Sequence, residues 1–175
     1  MKRAGVCINT WTITWDNLVS EQLLAVDLGL RTGFAILDGS GRLLSYQSRN
    51  FGTRSRLKKA IYSVLSEAPD ITVVVIEGGG DLALPWISEI ERRGLRVIQI
   101  NAERWRSALL LSRHQRHGSD AKRNADVLAR KIIDWSGAKR PTSLRHDAAE
   151  AICIGFWGVL HVRWLPEIAK ELSLD

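Results

Sequence analysis

Apolar positions keep two different rhythms along this chain. In 22-QLLAVDLG-29 and 71-ITVVVIE-77 they run almost unbroken, as in strands covered on both faces. Residues 33-GFAILD-38 and 42-RLLSYQSRN-50 predict two further strands, with 39-GSG-41 as the hairpin turn between them. Residues 95-LRVIQI-100 predict a fifth. Elsewhere the spacing becomes helical. Leu57, Ile61, Val64 and Leu65 fall on one face of 55–68, and Pro69 follows its end. A second helix is predicted over 82–94, stopped by Gly94, and a third over 102–111. A polar loop over 112–120 leads into a long helix over 121–135, which 136–143 breaks. A helix over 146–160 follows, and Pro166 can open a short last one over 167–172. Three strands in a meander, then strands alternating with helices, then helices alone predict an α/β fold with a mixed sheet and helices on its faces.

The helix 146-HDAAEAICIGFWGVL-160 is apolar on every side, so most of it should be buried. Yet its first turn carries Asp147 and Glu150, which lie three apart and therefore on one face. Asp147-x-x-Glu150 is also the spacing of a capping box, and the helix dipole favours acids at this end. The pair alone leaves capping and chemistry both open.

Composition narrows the partners. The 175 residues are 45% hydrophobic and 25% charged, a globular balance, with no apolar run of transmembrane length. Residues 1–20 fit no element, lack the apolar core of a signal peptide, and stand as an unassigned N-terminal extension ahead of one domain over 21–175. Two cysteines, Cys7 and Cys153, make no disulfide framework, and Cys153 suits a core position. With four scattered histidines a zinc site is not expected. A reducing, cytoplasmic setting fits, and an organellar address stays open. The net charge is +6, and residues 101–145 alone hold eleven Lys or Arg against four Asp or Glu. Such a segment is a solvated face or the footprint of a polyanion, most simply nucleic acid.

Two more acids end predicted strands. Asp27 closes the first, in AVDLGLRTG, and Glu77 closes VVVIE just before three glycines, Gly78 to Gly80. If these strands pair in parallel, both acids lie at the carboxyl edge, where open α/β sheets bind ligands. A helix starting with Asp147 and Glu150 can cross that edge, bringing four carboxylates together. Crowded like charges are costly in a low-dielectric site unless cations neutralise them, and oxygen-only ligands suit Mg²⁺ or Mn²⁺.

AVDLGLRTG, VVVIEGGG and HDAAEAICIG, in that order, resemble the three acidic motifs of the RuvC-like Holliday junction resolvases of the ribonuclease H-like superfamily. RWRSALLL, a basic loop and AKRNADVLARK are similar to the phage, plasmid and organellar members. The likeness covers residues 23–158. It implies a ribonuclease H-like fold with a five-stranded mixed sheet, and Asp27, Glu77, Asp147 and Glu150 as catalytic metal ligands. Glu150 stands where the family more often has Asp. Some members use His in the final pair, so His146 can share or replace the role of Asp147. The resemblance further implies a nucleoid-associated homodimer that cuts two opposing strands of a four-way junction, leaving 5′-phosphate and 3′-hydroxyl ends. Phosphodiester hydrolysis suits two Mg²⁺ ions per site, with Mn²⁺ as a substitute.

Lys122 and Arg123 open the long helix and are placed to grip a phosphate, Lys122 beside the scissile bond, with Arg113 and Arg116 from the preceding loop. Arg54, Arg56, Lys58 and Lys59 form a second basic cluster, partly explained by solvation. Trp86, Trp105 and Trp157 are expected in the core. Leu109–Leu111 and Ile132–Trp135 are candidates for a dimer interface or, equally, for core. Three other readings remain: a YqgF-like RNA-processing nuclease, an actin- or sugar-kinase-type nucleotide-binding domain, and a non-catalytic DNA-binding module. The second normally needs two domains, and four acids in place argue against the third.

Overall fold

The structure, a computed structural model, describes residues 21–110 and 118–172. The N-terminal extension with Cys7, and Arg113 and Arg116 of the expected loop, lie outside the described residues. Five strands form one sheet: β1 (Gln22–Asp27), β2 (Arg31–Asp38), β3 (Leu43–Asn50), β4 (Ile71–Glu77) and β5 (Arg96–Ile100). Their order is β3-β2-β1-β4-β5. β2 is antiparallel to β1 and β3, whereas β4 is parallel to β1 and β5. The sheet is therefore mixed, as the element pattern predicts, and the carboxyl ends of β1, β4 and β5 share one edge.

Alternation along each strand divides the core in two. Leu24, Val26, Val74 and Ile76 face α1 (Arg54–Ser66) and α2 (Ala83–Arg92), which contribute Leu57, Ile61, Trp86 and Ile90. Leu23, Ala25, Val73 and Val75 face α3 (Ala102–Leu109), α4 (Gly118–Ser136) and α5 (His146–His161). The two central strands, β1 and β4, bury both sides, which explains their near-continuous apolar sequences, whereas the edge strand β3 is largely exposed. Trp86, Trp105 and Trp157 are all buried. Leu109, Leu110, Ile132 and Ile133 are buried too and belong to the core; of the other interface candidates, Trp135 is only partly buried, and Leu111 lies outside the described residues.

α5 is the central helix of the second layer, buried from Asp147 through Val159. Its N-cap is Arg145, which makes no side-chain cap hydrogen bond. The capping-box reading therefore fails, because Asp147 lies inside the first turn rather than at the N-cap. Packing holds the helix instead. Each fully buried Ile or Phe contributes about 1.5–3 kcal/mol, more than a typical cap worth about 1 kcal/mol. Close approach to the sheet depends on missing side chains. A Cβ on Gly155 would come within 2.2 Å of Leu37 Cδ1, and one on Gly158 within 2.8 Å of Val75 Cγ2.

Smaller differences have local causes. α4 begins at Gly118, three residues before the expected start at 121. α3 stops at Leu109 because Leu110 turns to extended backbone and is buried. The expected helix over 167–172 is only a 3₁₀ turn, Lys170–Leu172, whose Leu172 docks on the core.

Candidate active site

One transverse rung of the sheet builds the site. Ser48 on β3 pairs with Gly33 on β2, Gly33 with Asp27 on β1, Asp27 with Glu77 on β4, and Glu77 with Ile100 on β5. Side chains on one rung of a sheet point to one face. Here it is the α5 face, because Asp27 and Glu77 continue the alternation of Leu23, Ala25, Val73 and Val75. Gly33 is the gap in the rung. A Cβ there would lie 1.9 Å from the backbone oxygen of Asp147, so only glycine lets the first turn of α5 rest on the sheet beside Asp27. That contact brings Asp147 and Glu150, each 8% exposed, over the acids of the two central strands.

The crowding has an electrostatic signature. Burial, and then the charges of Glu150, Glu77 and Asp147, raise the Asp27 carboxyl from its ordinary 3.8 to about 8, with Arg106 pulling the other way. Burial also raises Glu77, against a hydrogen bond from Trp105 that lowers it. Asp27 thus feels all three of the other carboxylates, and Glu77 feels Glu150 as well.

Protein donors hold three of the acids. Trp105 Nε1 donates to Glu77 Oε2 at 2.6 Å. Ser48 Oγ donates to Asp147 Oδ2. Arg106 Nη2 donates to Glu150 Oε1 at 2.5 Å, and His146 Nε2 lies 3.5 Å from Glu150 Oε2. The residues that sequence reasoning missed here are Ser48 and Arg106, together with the polar role of Trp105. A signal for the last two exists. β5 lies next to β4, so a helix starting directly after Ile100, capped by Asn101 Oδ1 on the Arg104 N–H, must pass over Glu77.

His146 is 41% exposed and leans on Glu150, whereas Asp147 is buried against Gly33. Among the described residues no group of three or more His, Cys, Asp or Glu side chains is already arranged to hold a metal ion. The donor chemistry nonetheless fits hard divalent cations: four oxygen-only side chains share one buried edge, and Ser48 and Trp105 each occupy only one oxygen of their acid. Cys153, by contrast, is fully buried on α5, its thiol donates to the Ala125 carbonyl at 3.4 Å, and burial pushes its pKa up, so it is an inert core group.

The described basic candidates lie on two helices that pack on opposite faces of the sheet. Lys122 and Arg123 are exposed near the start of α4, three and two residues before Ala125, whose carbonyl joins α4 to α5. Arg54, Arg56, Lys58 and Lys59 are exposed on α1, which packs on the opposite face of the sheet. Its first residue still stands at the acidic edge, where Arg54 pairs with Asp81 at 3.3 Å, just beyond Glu77 and its glycines.

No protein-family model matches the chain, and no curated protein does either. Among solved structures it is similar to T. thermophilus RuvC in complex with a Holliday junction substrate. The TM-score is 0.58 at 16% identity, over 82% of this chain and 95% of that one. This likeness establishes the fold. A second match is a simian T-cell lymphotropic virus intasome in complex with a PP2A regulatory subunit, B56 gamma, at 12% identity over 87% of this chain and 59% of that one. Its TM-score of 0.32 carries no argument. Among the described residues no helix is long and apolar enough to cross a membrane.

Proposed function

We propose that this chain is a RuvC-like endonuclease of the ribonuclease H-like superfamily, which resolves four-way DNA junctions by metal-dependent phosphodiester hydrolysis. The observation that carries this reading is the convergence of Asp27, Glu77, Asp147 and Glu150 at one sheet edge, close enough for three of them to raise the fourth. Four acids crowded in a half-buried place work against folding unless something positive joins them. The basic surplus of residues 101–145 and the likeness to a RuvC solved with junction DNA support the choice of substrate.

The four acids would hold Mg²⁺, with Mn²⁺ able to substitute. When bound, such ions supply the Lewis acidity that phosphodiester hydrolysis needs. The chain's own groups do the positioning. The Trp105 indole fixes the rotamer of Glu77, and the Ser48 hydroxyl that of Asp147, as outer partners of metal ligands commonly do. Asp147, buried and oriented, is the ligand in the final pair, and the half-exposed His146 acts on Glu150 from outside. Lys122, Arg123 and Arg54 hold phosphates flanking the scissile one and fix the DNA in register. Two copies of the chain, related by a two-fold axis like that of the junction, cut opposing strands and leave 5′-phosphate and 3′-hydroxyl ends.

The test is a cleavage panel with Mg²⁺ on four-way, three-way, flap and duplex DNA and on structured RNA, run with Asp27→Asn, Glu77→Gln and Glu150→Gln. The expected result is cutting of the four-way junction by the wild type alone, with junction binding kept by all three variants. Cutting by Asp27→Asn at the wild-type rate would overturn the metal reading, and preference for structured RNA would favour an RNA-processing nuclease. A cruciform plasmid checks pairing: linear product is expected, and open circles as the main product would mean independent nicking.

A further inference from the structure

Glu150 has both oxygens engaged: Oε1 with Arg106 Nη2 at 2.5 Å and Oε2 facing His146 Nε2 at 3.5 Å. This differs in kind from the other acids. Ser48 and Trp105 are neutral donors and leave room for a cation beside them. A guanidinium is itself a cation, and it sits where positive charge is needed most. Its reach extends beyond Glu150, because its field also opposes the rise in both Asp27 and Glu77.

The position of Arg106 is fixed from its own side as well. It follows Trp105 on α3, its guanidinium carbon lies 5.2 Å from the Trp105 ring centre, and the indole is bonded to Glu77. Two consecutive residues of one helix thus hold two of the four acids, one through a neutral bond and one through an ion pair. The pair is only partly exposed, 26% for Arg106 and 11% for Glu150, so solvent screens it less than a surface pair.

We infer that Arg106 is the chain's own cation at this site, competing with divalent ions for Glu150 and setting the affinity with which the acids take them up. The inference rests on the reading that these acids hold a divalent cation. Without that ion, Arg106 keeps the cluster from being four uncompensated acids. To admit the ion, the Arg106–Glu150 pair must open. Arg106 is thus a positioning residue whose removal strengthens metal binding, the reverse of what losing a support of the site would do.

The test uses the full chain without nucleic acid and follows Mn²⁺ binding by electron paramagnetic resonance. Arg106→Gln is expected to bind Mn²⁺ about tenfold more tightly, a factor equal to about 1.4 kcal/mol. Arg106→Lys, which keeps the charge, should stay within about threefold of wild type on the same scale. In a Glu150→Gln background the Arg106→Gln change should have little further effect. Arginine side-chain NMR of the wild type provides a check that needs no variant: saturating Mg²⁺ should move the Arg106 signal. Unchanged or weaker Mn²⁺ binding in Arg106→Gln, or an Arg106 signal indifferent to Mg²⁺, would overturn the inference while leaving the proposed function standing. No Mn²⁺ binding by wild type or any variant would remove both.

Discussion

Asp27→Asn should make the metal-free protein more stable, by an amount that depends on pH. Burial and three neighbouring carboxylates raise Asp27 from 3.8 to about 8. Between those values the folded state holds a proton that the unfolded chain has released. The stability that Asp27 contributes is therefore complete below about pH 4, falls as pH rises, and is gone above about pH 8. Each unit between the two values is worth about 1.36 kcal/mol, which sets a ceiling of about 6 kcal/mol. The value of about 8 already includes the pull of Arg106, but water reaches a half-buried carboxyl and relaxes the penalty, so about 2–3 kcal/mol is the expected gain at pH 8. Asn has nearly the same shape and no charge to bury. For a chain of this size the gain corresponds to a rise in Tm of about 4–12 °C. Thermal unfolding in EDTA, followed by circular dichroism from pH 4.5 to 8.5, measures it. The two proteins should agree at the acid end and diverge steadily above it. Added Mg²⁺ should close the gap by stabilising the wild type. A difference in Tm that does not change with pH, or an Asp27→Asn protein less stable than wild type at pH 8, would refute the reasoning.

Gly33→Ala should cost at least about 3 kcal/mol, because the new methyl meets the backbone of Asp147 rather than a side chain that can turn away; chemical denaturation measures it, and a loss under about 1 kcal/mol would mean that α5 shifts without penalty. Trp105→Phe should keep the fold but release Glu77, lowering metal affinity by about tenfold to a hundredfold, as loss of an outer partner does; calorimetric titration with Mn²⁺ decides it, and unchanged affinity would count against the role of the indole. Changing Lys122 and Arg123 together to Ala should flatten the log–log dependence of junction affinity on salt by up to about two; an unchanged slope would move the contact to α1.

Local pattern revealed the elements better than it revealed the site. Five strands and most helices are legible because burial on one or both faces writes a period of two, or an unbroken apolar run, into the residues. The four acids are legible only as a set: an acid at a strand end is common, but here two strands end in one, glycine-rich turns follow both, and two more acids open a buried helix. Their adjacency is legible only on the condition of parallel pairing across about fifty residues of sequence, which the register of β1 on β4 then supplies. Ser48 shows the same limit: in the polar half of an edge strand it resembles any solvated serine, until its rung is known. Trp105 misleads for a different reason. A tryptophan is buried for its size, and its single N–H is silent in sequence until a partner appears. Leu109, Leu110, Ile132 and Ile133 proved to be core, because apolar stretches on α3 and α4 suit a core and an interface equally well in sequence.

The glycine contacts of α5 act as mechanical stops. Gly33 in the sheet, with Gly155 and Gly158 in the helix, leaves no slack in the directions along which the helix could slide or roll. The connection that leads into the helix, over 137–145, is largely exposed. Its ends are tied down, at Lys139 by the Tyr46 hydroxyl and at Arg145 as the N-cap of α5, so a reporter of DNA engagement belongs between them, at the exposed Thr142 and Ser143.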